Sequence, residues 1–138
     1  MSEAKIHIIS FNRKLKKIVC ALSKKLSNDV SIRSLKNKII IAINEAPVDV
    51  IDTAGPYIYD YRNQIYNSPN LFFSDNDNNI LYKIDISKYH KNNYVDEIIN
   101  KLRSIFKILD DSEKTEYINT ITQILDSYIE YKCTKLIN

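Results

Sequence analysis

Glycine occurs once in this 138-residue chain, proline three times, cysteine twice and tryptophan not at all. So little glycine and proline argues against a fold of many short strands and tight turns, and against a glycine-rich phosphate cradle. Cys20 and Cys133 are too few and too far apart in sequence to suggest a disulfide framework or a zinc site, so a reducing compartment is the simpler setting. The longest apolar run, Ile39 to Ile43, is much too short to cross a bilayer, and no membrane partner is expected. The opening MSEAKIHIIS has no basic n-region followed by a long apolar stretch, so no secretory signal is expected. His7 and His90 stand alone, outside any metal-ligand spacing. With no nucleophile elbow, phosphate loop or paired-carboxylate signature, the chain reads as non-enzymatic, with no cofactor, metal or small-molecule substrate.

What is present is a globular composition: 44% apolar and 27% charged residues. A chain of this length suits one domain and buries about two-thirds of its unfolded surface. Ile, Lys, Asn and Tyr are favoured, a bias that points to an AT-rich genome. Charge is uneven. Residues 1–46 hold ten Lys/Arg and three Asp/Glu, a formal +7, whereas residues 47–138 hold ten and fourteen, a formal −4. A basic first third can recruit a polyanion or an acidic partner, or pack beside the acidic remainder of its own chain.

Periodicity then predicts an all-α, single-domain bundle of five to six helices over residues 1–138. Ser10 and Asn12 offer caps for a first helix over about 10–26, with Phe11, Leu15, Ile18, Val19, Leu22 and Leu26 on one stripe. Asn28 and Asp29 cap a second helix to about Asn44, whose breadth of isoleucine predicts a central helix buried on more than one side. Pro47 suits the first position of a short helix over 48–54, which Gly55 can end in a left-handed turn. Pro56 then opens a helix to about Tyr66, and Ser68–Pro69 restarts a turn carrying Leu71, Phe72 and Phe73. Residues 55–73 thus form an aromatic elbow. The polar SDNDNN (residues 74–79) reads as a loop. ILYKIDIS alternates like a lone strand, but with no second strand to pair it an extended or loosely helical connector over 80–90 fits better. Asn93 caps a helix over about 93–109. Asp110 and Glu113 have capping-box spacing for a last helix over about 111–136.

Three stretches, FNRKLKKIVCALSKKL, PYIYDYRNQIYNSPNLFF and LRSIFKILDDSEKTEYINTITQILDSYIE, together resemble a family of small helical proteins of giant nucleocytoplasmic large DNA viruses, Marseillevirus- and Mimivirus-like. The matching positions are Phe11, Asn12, Leu15, Tyr61, Ile65, Asn67, Phe72, Phe73 and the Leu109–Glu113 cap. Asp60 stands where relatives often carry proline, and Phe106 where they often carry Trp. The resemblance covers nearly the whole chain, implies a helical fold and a viral origin, and transfers no catalytic residue.

Two surfaces are candidates for function. Tyr57, Tyr59 and Tyr66 can present an aromatic patch to other viral or host proteins, or to a second copy of the chain, in the virion, the host cytoplasm or the viral factory. Arg13, Lys14, Lys16, Lys17, Lys24 and Lys25 form a cationic helix face, which Arg33, Lys36 and Lys38 can extend. Lysine predominates, which fits sequence-independent phosphate contact better than base reading, and no recognition-helix, RNP-strand or zinc-finger motif accompanies it. Each surface has a plainer reading, as half-buried core rings or as a solvated helix face. Asp75, Asp77 and Asn79 imitate a calcium loop, but Ile80 and Ile86 stand where its Gly and Glu belong. Cys20 lies between Lys16 and Lys24, with no His or acid placed to make it a nucleophile.

Overall fold

The first helix begins two turns earlier than its expected caps. In the computed structural model, which describes residues 2–74 and 94–137, α1 spans Glu3–Lys25, and Ser2 caps it by accepting from the Lys5 N–H at 3.2 Å. Ser10 and Asn12 therefore lie inside the helix. Ser10 meets Ser127 (Oγ–Oγ 2.9 Å), and the Asn12 amide donates to the Pro47 carbonyl at 3.1 Å. Polar side chains that resemble caps instead serve contacts between helices.

The remaining elements are α2 (Val30–Glu45), α3 (Pro47–Asp60), α4 (Arg62–Asn67), α5 (Pro69–Ser74), α6 (Tyr94–Ile105), a 3-10 turn (Phe106–Ile108) and α7 (Asp111–Ile137). All regular structure among the described residues is helical. Asp29 caps α2 through the Ile32 N–H (3.2 Å). At the start of α7 the Glu113 N–H donates to Asp110 at 2.7 Å and the Asp110 N–H to Glu113 at 3.1 Å, a reciprocal capping box. The polar loop from residue 75 onward, the 80–90 connector, the calcium-like triplet, His90 and Asn93 lie outside the described residues.

The long antiparallel pair α1–α7 forms the centre of the bundle, and α3 packs against both of its helices. On α1, Phe11, Leu15, Ile18, Val19 and Leu22 are all buried. On α7, Tyr117, Ile121, Ile124, Leu125, Tyr128 and Tyr131 are buried as well. The expectation of a central α2 is wrong. That helix buries only Ile32, Leu35 and Ile39, and Ile41 is 54% exposed. Consecutive isoleucines point in different directions around a helix, so a run of them broadens the apolar stripe without a second neighbour having to cover it.

Gly55 overturns a second expectation. No residue among those described has positive φ, and α3 runs through Gly55 and Pro56 to Asp60. Gly55 is there for proximity: a Cβ built on it would lie 2.1 Å from Cδ1 and Cε1 of Tyr128. The glycine lets α3 approach the ring carried by α7. The breaks in the elbow come later, at Tyr61 and at Ser68. Tyr61, Phe72, Phe73 and Phe106 then run as a chain of rings, with centroids 5.4, 4.9 and 5.8 Å apart, each pair within the range in which tilted or edge-on rings attract. They hold the elbow onto α6 and the turn after it.

Candidate interaction cleft and cationic face

The C-terminal half of α7 has α3 along one side. Because Gly55 seats the Tyr128 ring against α3, the next turn of α3 brings Tyr59 edge-on to the same ring (6.1 Å, 63°). The two rings, with Ile129, Lys132 and Cys133, line an open cleft of about 300 Å³. Arg62 holds Tyr59 from outside: its guanidinium lies 4.1 Å over the ring and donates to the Tyr59 carbonyl at 3.1 Å, satisfying an acceptor at the end of α3. Tyr59 stays 38% exposed. Burial pushes up the Tyr128 phenol, with the Asp52 charge adding to it.

The three candidate tyrosines separate. Tyr59 borders the cleft. Tyr66, 46% exposed, donates its phenol to Asp126 of α7, and burial followed by that carboxylate pushes its pKa up to about 12. Tyr66 therefore docks α4 as well as facing solvent. Tyr57 is half-buried against the core. Tyr128, Ile129, Lys132 and Cys133 were not among the expected site residues. The one signal the sequence carries for them is spacing: 129, 132 and 133 fall on one face of a helix.

The cationic residues divide too. Lys17 binds Glu116 at 2.7 Å and Lys25 binds Glu113 at 2.8 Å, tying α1 to α7. These bonds hold both glutamates below the usual carboxylate range, and Lys14, half-buried, adds to the effect on Glu116. Arg13, Lys16 and Lys24 are exposed and have no ion pair among the described residues. On α2, Arg33 and Lys38 are exposed and Lys36 is half-buried. The face is thus part fastening and part free charge.

A groove of about 330 Å³ between α1 and α7 is bordered by the Lys17–Glu116 pair and Glu113, and one of about 340 Å³ between α2 and α6 includes Lys101, which pairs with Asp29 at 2.7 Å. At these grooves the Lys17–Glu116, Lys25–Glu113 and Lys101–Asp29 pairs tie neighbouring elements together. Among the described residues no cluster of three His, Cys, Asp or Glu could hold a metal, and no helix is long and apolar enough to cross a membrane. No family model, curated protein or solved structure matches the chain.

Proposed function

We propose that this chain is a non-catalytic protein of a large DNA virus, acting as a protein–protein interaction module in the virion or the infected host cytoplasm. Its partner would be gripped at the α3–α7 cleft. The observation that carries this reading is the half-exposed Tyr59 beside Tyr128 and Ile129. Stiff aromatic and aliphatic surface left open next to a positively charged rim is the composition of an interface anchor. The viral origin rests on the resemblance carried by Phe11, Asn12, Tyr61, Ile65, Phe72 and Phe73. Affinity purification from infected cells tests the module. Tyr59→Ala should cut partner capture on the order of tenfold, as loss of an anchor residue does, with helicity unchanged by circular dichroism. Capture equal to that of the parent protein would overturn the reading.

A second reading, sequence-independent binding of nucleic acid along α1, is favoured by one observation: Arg13, Lys16 and Lys24 keep their charge unpaired and exposed. Gel shifts separate the two readings. Absence of binding near ~50 mM salt, or binding indifferent to charge reversal at these three residues, excludes the second.

A further inference from the structure

On the side away from the core, α1 carries a second stripe. At about 100° per residue, Ile6, Ile9, Arg13, Lys16, Cys20 and Lys24 fall within an arc of about 80°, opposite the buried Phe11, Leu15, Ile18 and Leu22. The steps of three and four carry this stripe along about 27 Å of the helix. Its two ends differ in chemistry. Ile6 is 50% exposed and Ile9 38%, one turn apart at the N-terminal end. Arg13, Lys16 and Lys24 are exposed and have no ion pair among the described residues. Cys20 between them is half-buried. No carboxylate lies in the stripe: Glu3, the one acid of α1, sits about 90° from its centre, and Glu116 of α7 is held by Lys17.

We infer that this stripe docks on an anionic lipid surface, with Ile6 and Ile9 at the boundary between headgroups and acyl chains and Arg13, Lys16 and Lys24 among the headgroups. Its mixed chemistry selects that occupant. A nucleic-acid backbone is met by the three cations alone and leaves both isoleucines in water. A lipid surface uses the whole stripe, since anionic headgroups attract the cations and the layer beneath them takes up aliphatic side chains. A single exposed isoleucine is ordinary. Two of them one turn apart, on the same arc as unpaired cations and with no acid between, form an interfacial pattern. No described helix is long and apolar enough to cross a bilayer, and lying on one requires only a stripe of this kind. With three cations and two aliphatic side chains the attachment is reversible and weakens with salt. The inference goes beyond the reading of the cleft and shares no residue with it, so Tyr59-dependent capture and lipid binding stand or fall separately.

Co-sedimentation of the intact chain with vesicles in low salt tests it. Phosphatidylcholine vesicles containing about one-third phosphatidylserine should bring the chain down, and vesicles of phosphatidylcholine alone should not. Lys16→Ala should weaken the partition about fivefold, the contribution of one basic residue at an anionic leaflet. Ile6→Ser combined with Ile9→Ser should weaken it on the order of tenfold and leave oligonucleotide binding at the parent value. Both isoleucines are exposed, so helicity by circular dichroism should match the parent in these variants. Ile9→Trp gives a chain that has no tryptophan a single reporter at the stripe, and its emission should shift to the blue on the phosphatidylserine vesicles. Failure to sediment with phosphatidylserine, equal sedimentation with both vesicles, an isoleucine variant that binds like the parent, or an unshifted tryptophan in the bound state would each overturn the inference. Oligonucleotide binding by a chain that ignores both vesicles also overturns it and assigns the stripe to nucleic acid.

Discussion

Gly55 shows how one hydrogen can decide a helix–helix distance. In the interior of an exposed helix, Gly→Ala gains close to 1 kcal/mol from propensity. Here the added methyl would meet Tyr128 carbons at 2.1 Å, and Tyr128 is buried, so the ring has little room to retreat. Overpacking of this kind costs about 1–3 kcal/mol and outweighs the propensity gain. Gly55→Ala should therefore lower the melting midpoint by several degrees, as ~1 kcal/mol does for a domain of this size, and a midpoint at or above the parent value would contradict the packing role. Tyr61 offers a second residue-scale case. Its phenol donates to Asp96, and both side chains are buried. Desolvation raises the Asp96 pKa, and the Tyr61 bond acts against that rise. Tyr61→Phe takes one donor from a buried carboxylate and should cost about 1–3 kcal/mol in urea unfolding, with the slope of the transition unchanged.

At the scale of elements, the helices that announce themselves are those whose ends carry their own chemistry. Asp29, Pro47, Pro69 and the Asp110–Glu113 pair each mark a boundary that the chain adopts, because a cap acts on the N–H groups next to it and needs no distant partner. Gly55, Ser10 and Asn12 mislead because their roles are tertiary: Tyr128, Ser127 and the Pro47 carbonyl are far away in sequence. The candidate site divides in the same way. Tyr59 can be found as a ring on an outer face, but the cleft needs α7 beside it, and local periodicity does not say which helices become neighbours. Nor does it say which lysines find carboxylates. Lys17 and Lys25 fasten α1 to α7, and the consequence is a pH dependence. Glu113 and Glu116 have folded pKa values below the ordinary 4.5, so their contribution is complete above that value and is lost as pH falls through the folded values. Asp96, whose pKa is raised, acts in the opposite sense, costing stability as pH rises through its window. Replacing both lysines by Met should therefore shrink the drop in melting midpoint between about pH 6 and about pH 3.5 relative to the parent. An unchanged drop would show that these pairs do not fasten the two helices.

Across the whole molecule, a formal +7 on residues 1–46 faces a formal −4 on the remainder, and part of that opposition is consumed internally. Lys17 and Lys25 spend their charge on α7 and Lys14 lies near Glu116, leaving Arg13, Lys16 and Lys24 as the outward cations of α1. This division sets a number for any polyanion the chain meets. Each phosphate neutralised on a single strand contributes about −0.7 to the slope of log affinity against log salt, so three free cations give a slope of about −2, whereas all six would give about −4. Fluorescence anisotropy on an unstructured oligonucleotide, titrated with salt, reads the slope directly. Reversing Arg13, Lys16 and Lys24 should abolish binding and leave the melting midpoint within a degree or two, since exposed unpaired charges contribute little to stability. Reversing Lys17 and Lys25 should do the converse, lowering the midpoint by setting carboxylates beside Glu116 and Glu113 while leaving most of the affinity in place. A slope near −4, or affinity lost equally through either set, would mean that a bound strand draws the lysines away from α7, and that the α1–α7 ion pairs open on binding.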